Sequence, residues 1–349
     1  MPSNELLEFR TSVRALLGKH ATSAALRTAM DTDLGYDPKL WRMLCEQVGV
    51  AALAVPEQWG GAGAGLVESL MVVGELGRTL SGVPMLGSAV LGVQAILLAG
   101  DEQACARLLP DLADGSRTAA LCWADAAGWD SAGVSVTDGK LSGAAHYVLH
   151  GAQAHLLLVL TDDGLFETTA DAAGVTVAAT PALDPTRTLA AITFTDAPAT
   201  RIGTGDPAAL RRRLREIAWA ALASEQVGAA RRCLEMTVEY TASRVQFGRP
   251  IGSFQALKHR MADMYVLVES AESAALAAAL AVAEDSPSAT EEAWVARKHC
   301  SEAFCTVAAE TIQLHGGIAI TWEHDAHLYF KRAHATAELF GTGRRPAAA

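Results

Sequence analysis

Apolar residues recur at three- and four-residue spacing through the first third of the chain, which is the period of an amphipathic helix. The clearest run extends from Glu5 to Lys19, where Leu6, Phe9, Val13 and Leu16 share one face. Asp37 followed by Pro38 is a typical helix start, since Pro is well tolerated in the first turn. Helices are therefore predicted over residues 5–19, 37–49, 66–79 and 102–112.

Near residue 119 the hydrophobic period shortens to about two, or gives way to short apolar runs that are typical of strands. Predicted strands cover residues 134–136, 146–149, 156–160, 174–179 and 189–194, with a turn at Asp138-Gly139. Beyond Pro207 the helical period returns in long segments over residues 207–244, 255–284, 290–316 and 325–340. Four long helices with short connections indicate an antiparallel bundle.

The order of helices, strands and helices indicates separate layers rather than alternating βαβ units. We therefore predict an α+β fold that is mostly α. Its three parts are an N-terminal helical domain (1–115), a barrel-like β domain (116–203) and a C-terminal four-helix bundle (204–349).

One glycine-rich segment imitates a dinucleotide-binding unit. Ala51 to Val55 precede a run from Gly60 to Gly65 and an apolar helix. A genuine unit requires a second parallel strand with an acid about twenty residues on, and the chain continues instead as helix. The favoured interpretation is a tight loop before a helix.

Charge and cysteine usage narrow the function classes. The chain has 28 Lys and Arg against 39 Asp and Glu, a net charge of −11, which argues against nucleic-acid binding. The basic run from Arg211 to Arg215 is interpreted as a solvated helix face. Six scattered cysteines suggest neither a metal site nor a disulfide framework. No secretion signal or membrane span is predicted, so a cytoplasmic location is expected.

Three ordered motifs resemble the signature set of the acyl-CoA dehydrogenase family. They are Val55-Pro-Glu-Gln-Trp-Gly-Gly61, Arg244-Val-Gln-Phe-Gly-Arg-Pro-Ile-Gly-Ser-Phe-Gln255 and Gln313-Leu-His-Gly-Gly317. The resemblance covers nearly the whole chain, and the family's helical, β and bundle architecture is the one that the periodicity predicts. It implies FAD as cofactor and an acyl-CoA as substrate. Family members form the trans-2-enoyl-CoA, with a Glu removing the α-proton while the flavin accepts a hydride from the β-carbon.

The resemblance also assigns cofactor contacts residue by residue. In the family these positions reach the diphosphate and adenosine portion of a flavin held mainly by a neighbouring subunit. An Arg suits a diphosphate because its planar guanidinium makes paired hydrogen bonds. The positions that match in this chain are Arg244, Phe247, Gln255, Gln313, Gly316 and Gly317.

Both positions at which the family places its catalytic Glu hold other residues. Phe340 stands at the commoner position, before Gly341, and Ala218 at the position in the first bundle helix. No catalytic residue is therefore assigned to this chain. Glu225, two turns along the helix from Ala218, and Glu338, two residues before Phe340, remain the candidates for a displaced base.

Flavin-ring contacts are lost as well. The family's Thr-Glu-Pro-Gly-x-Gly-Ser-Asp loop is matched by Trp123-Ala-Asp-Ala-Ala-Gly-Trp-Asp130, and its Trp-Ile-Thr segment by Tyr147-Val-Leu149. Ala and Leu cannot replace hydroxyl donors. The pattern resembles the smaller, base-lacking subunits of bacterial α2β2 acyl-CoA dehydrogenases, several of which act on steroid-derived CoA thioesters.

Three hypotheses follow. The favoured one is a subunit of a heterotetrameric dehydrogenase whose partner supplies the Glu. The second is a self-sufficient homo-oligomer that uses Glu225 or Glu338 as its base. The third is a flavin-free scaffold or acyl-CoA-binding protein.

Overall fold

The computed structural model describes residues 4–341, so the outer ends of the first and third predicted domains lie outside the described residues. The fold is mainly helical, with eight strands between residues 119 and 202 and a short two-stranded hairpin near residue 247. The α-helices are α1 (Asn4–His20), α2 (Ser23–Met30), α3 (Pro38–Met43), α4 (Leu66–Arg78), α5 (Val93–Ala99), α6 (Glu102–Ala113), α7 (Pro207–Ser243), α8 (Gln255–Ala283), α9 (Ala289–His315) and α10 (Ala326–Glu338). This architecture confirms the predicted fold class.

Side-chain caps explain several helix starts. The carboxylate of Asp37 accepts from the Lys39 amide at 2.8 Å, as the Asp-Pro signal indicates. Asp101 caps α6 in the same way, and Asp206 caps α7. A π-helical stretch, Leu44–Val48, extends α3, and a second one, Met85–Gly92, precedes α5. The sequence analysis missed α2, α5 and the stretch before α5.

The β domain consists of two four-stranded sheets packed across an apolar core. One sheet has the order β1-β4-β5-β8 and the other β2-β3-β7-β6. The strands are β1 (Ala119–Cys122), β2 (Val134–Thr137), β3 (Lys140–Leu149), β4 (Leu156–Leu160), β5 (Leu165–Thr169), β6 (Val175–Thr180), β7 (Leu189–Pro198) and β8 (Thr200–Ile202). Within residues 4–341 no strand pairing joins the two sheets, so the domain is a sandwich rather than a closed barrel. Short edge strands such as β1, β2 and β8 account for the open edges.

Strand β4 connects the β domain to the helices. All five of its residues are buried. Leu157 and Val159 pack into the core between the sheets, whereas Leu156, Leu158 and Leu160 belong to the large helical core. Because side chains alternate across a strand, one short apolar run serves both cores.

The loop after Val55 is not part of a dinucleotide-binding unit. Residues 51–55 form turns instead of a strand, and a single turn of 3-10 helix over Glu57–Trp59 precedes the glycines that lead into α4. The structure therefore confirms the loop interpretation.

Helix α7 lies at the centre of the bundle, with α4 crossing it very closely. A Cβ atom added at Gly228 would lie 1.8 Å from the Gly74 carbonyl oxygen, and one at Gly77 would lie 2.2 Å from the Glu225 carbonyl oxygen. Only glycine permits this approach. The crossing fixes the N-terminal domain against the bundle. Helices α8 and α9 have the length and composition to cross a membrane, a criterion that core helices of a bundle also meet.

A network of buried charges joins the end of the β domain to the bundle. Arg332 on α10 pairs with Asp184 and, at 2.5 Å, with Glu225 on α7, while Arg187 pairs with the other oxygen of Glu225. Burial disfavours the charged carboxylate, but the two guanidinium groups outweigh it and lower the pKa of Glu225. Glu225 is therefore ionised at neutral pH and fully paired.

We predict that Arg332→Met lowers the free energy of unfolding by about 3–5 kcal/mol, since it leaves Asp184 buried without its cation. Arg260→Met, which removes a partly exposed pair with Glu310, should cost less than about 1 kcal/mol. Urea unfolding of the two variants measures the difference. Equal losses would show that the buried network does not anchor the domains.

Candidate functional site

The predicted cofactor residues lie at one end of the bundle, where α7 and α9 end and α8 begins. Each of them is exposed in the single chain. These residues are Arg244, Phe247, Gln255, Gln313, Gly316 and Gly317. The structure thus presents them on a surface and not in a cavity of its own subunit.

A tight hairpin carries the first of these residues. Val245–Gln246 (β9) pairs with Arg249–Pro250 (β10), and the two-residue turn between them has positive φ at both Phe247 and Gly248. A bulky residue seldom adopts this left-handed conformation. The Phe247 ring is also 91% exposed, with an edge-on contact to Phe254 at 6.1 Å between centroids. A strained backbone that presents a solvent-exposed ring is the kind of feature that marks a binding site.

Ring stacking holds the hairpin end of α7 next to the glycine pair. Tyr240, one turn before Arg244, stacks on His315 with 4.5 Å between ring centroids. His315 is buried, its Nδ1 lies 2.7 Å from the Thr311 carbonyl oxygen, and it directly precedes Gly316. Its surroundings are those of a packing residue, as the sequence indicates.

Several residues that replace the family's ring-binding and base positions lie in one aromatic cluster, together with Trp219, the neighbour of Ala218. The cluster consists of Trp123, Trp129, Tyr147, Trp219 and Phe340. Ring centroids lie 5.8 Å apart for Trp123 and Phe340, 6.1 Å for Trp129 and Phe340, and 5.2 Å for Trp129 and Tyr147. Trp219 Nε1 donates to the Phe340 carbonyl oxygen at 3.1 Å. Side chains from four segments that are far apart in the sequence therefore pack together in one place.

Two arginines on α7 stabilise the loop that carries Trp123 and Trp129 by donating hydrogen bonds to its backbone carbonyl oxygens. Arg211 donates to the Trp123 carbonyl oxygen at 2.8 Å, and Arg215 to that of Trp129 at 2.5 Å. Their side chains are only 13% and 24% exposed. The prediction that this basic run is a solvated helix face is wrong for these two residues, because the loop carbonyls of the β domain need donors.

Arg297 on α9 fixes the segment that carries Phe340. It donates to the carbonyl oxygens of Ala337 at 2.6 Å, Leu339 at 3.0 Å and Gly341 at 3.3 Å. Burial lowers the pKa of Arg297 to about 10, which still leaves it charged at neutral pH. Three carbonyl acceptors on one guanidinium leave Phe340 little freedom to leave the cluster.

Neither acid proposed as a displaced base is placed for that role. Both carboxylate oxygens of Glu225 are bound by arginines, and its lowered pKa makes it a weak proton acceptor. Glu338 is exposed at the end of α10, whereas Phe340 is buried. Ala218 has no accessible surface and lies in the helical core.

The cofactor residues and the aromatic cluster lie far apart on the same helix. Trp219 and Arg244 are separated by 25 positions on α7 and its C-cap, which is about 37 Å at the rise of an α-helix. The exposed candidate cofactor residues and the aromatic cluster therefore lie at separate places on the chain.

Two family models match the chain. The model for the acyl-CoA dehydrogenase N-terminal domain matches residues 3–116, and the model for its C-terminal domain matches residues 216–344. The chain is 46% identical over 345 residues to acyl-CoA dehydrogenase IpdE2 of Mycobacterium tuberculosis, covering 98% of this chain and 95% of the relative. This chain belongs to the acyl-CoA dehydrogenase family. The family that the motifs indicated is thereby confirmed.

Two solved structures with the same fold are similar to this chain, and one of them is a steroid ACAD. The Tcur3481-Tcur3483 steroid ACAD variant aligns with a TM-score of 0.87 and 31% identity, covering 97% of this chain and 94% of the other. The ChsE4-ChsE5 complex from Mycobacterium tuberculosis aligns with a TM-score of 0.87 and 28% identity, covering 97% and 93%. Members of the family bind FAD.

The residues that match the adenosine end and the ring end of the family's flavin site fit the cofactor unequally. At the adenosine end, Arg244 offers charged donors to a diphosphate, and Gly316 and Gly317 offer backbone that a ligand can approach closely. At the ring end, aromatic side chains occupy the space, and Trp123, Trp129 and Leu149 stand where the family has hydroxyl donors. The residues of this chain therefore fit one half of the cofactor only.

Sequence reasoning missed the role of Trp219 and Arg297 in this arrangement. Neither Trp219 on α7 nor Arg297 on α9 belongs to one of the family's motifs. The signal that was available is the number of aromatic residues at positions where the family has hydroxyls and carboxylates. Aromatic residues at these positions predict that side chains fill the pocket, in addition to the loss of its polar groups.

We predict that Phe340→Ala destabilises the folded chain by about 3–5 kcal/mol, because it leaves a cavity among buried aromatic rings. Phe247→Ala, which truncates an exposed ring, should change stability by less than about 0.5 kcal/mol in the isolated chain. Thermal or urea unfolding compares the two. A negligible effect at Phe340 would mean that the cluster is not packed as described.

Proposed function

We propose that this chain is the subunit of a hetero-oligomeric, FAD-dependent acyl-CoA dehydrogenase that contributes cofactor contacts without contributing the catalytic Glu. The observation that carries the proposal is the contrast between a filled ring end and an exposed adenosine end in the same chain. A different, fuller family member would supply the flavin-ring contacts and the base. Flavin would accept the hydride released from the acyl β-carbon at the partner's site.

In this proposal each residue of the exposed end has a binding task. Arg244 pairs with the flavin diphosphate, and Phe247 covers the adenosine portion and excludes water from it. Gln255 and Gln313 supply amide hydrogen bonds to the same end of the cofactor. Because these groups come from a second subunit, cofactor affinity and subunit association would be thermodynamically linked.

Exposed apolar residues around the cofactor end support a partner that covers this surface. Phe247 is 91% exposed and Val245 54% in the hairpin, and Ile320 is 73% and Trp322 62% exposed just after the glycine pair. Large exposed apolar side chains at a surface are typical of interaction sites. The fold shared with the ChsE4-ChsE5 complex favours a partner from the same family. The likeness to the Tcur3481-Tcur3483 steroid ACAD favours a steroid-derived acyl-CoA as substrate.

The first test compares the chain purified alone with the chain co-expressed with a neighbouring, base-containing family member. We expect a colourless, inactive protein alone, and a yellow, active complex that turns over octanoyl-CoA or a bulky steroid-CoA. A yellow and active chain on its own would contradict the proposal and support the homo-oligomer. A colourless, inactive complex would support the flavin-free scaffold.

In the active complex we predict that Arg244→Ala weakens flavin retention by about tenfold or more, since charged hydrogen bonds contribute about 1.5–3 kcal/mol. Arg212→Ala, at an exposed site near the other end of α7, should leave retention unchanged. Glu338→Gln should change turnover less than about twofold, whereas loss of a true base costs 10²–10⁴-fold. Flavin fluorescence after dialysis and steady-state rates measure these effects.

A further inference from the structure

Three aromatic rings form a continuous stack beside the glycine pair Gly316-Gly317. The Tyr240 ring, near the end of α7, lies 4.5 Å from the His315 ring at the end of α9, measured between centroids. The His315 ring in turn lies 4.6 Å from the ring of His324, two residues before α10 begins. Ring contacts at these distances stabilise the packing of the side chains that make them. The stack therefore joins the ends of α7 and α9 to the start of α10, on both sides of the turn that carries the glycine pair.

His324 also caps α10. Asp325 occupies the N-cap position, but its carboxylate accepts no hydrogen bond from the helix amides. It accepts hydrogen bonds from Ser23 at 2.8 Å and Arg27 at 2.6 Å on α2 instead. The Ala326 amide donates to His324 Nδ1 at 3.1 Å, which satisfies one of the free N–H groups of the first turn. Because an amide N–H only donates, Nδ1 of His324 is the unprotonated ring nitrogen.

His315 has the opposite tautomer. Its Nδ1 lies 2.7 Å from the Thr311 carbonyl oxygen, and because a carbonyl only accepts, this nitrogen carries the hydrogen. A second proton would have to bind at Nε2, which is buried. Burial lowers the pKa of His315 and outweighs the backbone groups of Thr311 and Met236, which favour the charged form. The position of His315 therefore favours a neutral imidazole.

The charges around the stack leave His324 neutral as well. Burial lowers the pKa of His324 more strongly than Asp325 raises it, and Arg27 lowers it further. The ionisable side chains around the two imidazoles come from α2, α7, the segment before α10 and α10 itself, and they are Arg27, Arg232, Glu239, Tyr240, Glu323, Asp325, His327 and Lys331. A surface groove of about 350 Å³ is lined by the stack, so protons from solvent reach it.

We infer that Tyr240, His315 and His324 form a positioning element for the adenosine end of the flavin, which fixes the glycine turn only while both imidazoles are neutral. The inference rests on the proposed function, because it assigns the stack to the turn that would contact FAD. A proton on His324 removes the acceptor of the α10 cap, and a proton on His315 places a charge at a buried nitrogen. Both events favour a state in which the stack has opened and the turn is released.

The direction of the pH dependence follows from linkage. An opened stack would give its imidazoles their ordinary pKa of about 6.5, whereas the closed stack takes up protons only at lower pH. The closed stack is therefore fully favoured above about pH 6.5 and becomes less favoured as the pH falls below it. One pH unit below, each imidazole that has to stay neutral weakens FAD binding by up to about tenfold.

Equilibrium dialysis of FAD against the complex of unlike chains tests the inference. We expect the Kd for FAD to rise at least about tenfold between pH 7.5 and pH 5.5. His324→Asn keeps an acceptor for the Ala326 amide but cannot be protonated, so its Kd should rise at least about threefold less over the same range. His324→Ala lacks the acceptor and should bind FAD more weakly than His324→Asn at pH 7.5.

His299→Gln is the matched control. His299 contacts Ser270 at 2.9 Å on the outer side of α8 and α9, outside the stack, and Gln retains a partner for that hydroxyl. Its pH dependence should equal that of the wild type. A merely structural role of His324 would weaken FAD binding equally at both pH values, so the pH profile separates structure from positioning.

An NMR titration of the chain alone, labelled at histidine Cε1, keeps the test independent of flavin. The resonance that disappears in His324→Asn should titrate below pH 6.5. A His324 pKa at or above about 6.5, or the same change of Kd with pH in wild type and His324→Asn, would overturn the inference. A complex that binds FAD equally at both pH values would overturn the inference alone. A complex that binds no FAD at either pH would overturn the proposed function and the inference with it.

Discussion

The length and stiffness of α7 determine what this chain can do with a cofactor. The helix has 37 residues and extends about 55 Å, with the aromatic cluster in its first half and Arg244 just past its end. Helix α7 also packs closely against α4 through Gly74, Gly77 and Gly228. One subunit therefore carries the aromatic cluster and the exposed cofactor candidates at separate places. This separation supports the proposal that a flavin in contact with Arg244 has its ring in a partner chain.

Largely buried arginines that donate to backbone carbonyl oxygens determine the local structure around the aromatic cluster. Arg211 and Arg215 hold the loop of Trp123 and Trp129, and Arg297 holds the segment of Phe340. Each replaces water as the donor to backbone oxygens that would otherwise be buried unpaired. The loss of catalytic groups in this chain has thus been accompanied by a packed, hydrogen-bonded replacement, which explains why the fold persists without a ring-binding pocket.

Much of the fold could be predicted from the sequence because its elements are long and strongly periodic. The bundle helices were predicted to within one or two residues at each end, and Asp37 and Pro38 marked a helix start correctly. Helix α2 and the stretch from Met85 to Ala99 were missed, the latter because almost every residue in it is apolar and buried, so no helical face is distinguishable. Strands β1, β5 and β8 are short and lack alternation. The candidate cofactor residues could be predicted because they belong to sequence motifs. The contacts of Arg211, Arg215 and Arg297 could not, because a hydrogen bond to a distant carbonyl oxygen leaves no local sequence pattern.

The central claim is that one flavin is shared between two unlike chains, with its ring in the partner and its adenosine end against this subunit. The most direct measurement is the flavin content of the purified complex, from flavin absorbance and amino-acid analysis of the same sample. The account predicts one flavin for each pair of unlike chains. Two flavins for each pair would mean that the aromatic cluster opens to admit a ring, and would contradict the account.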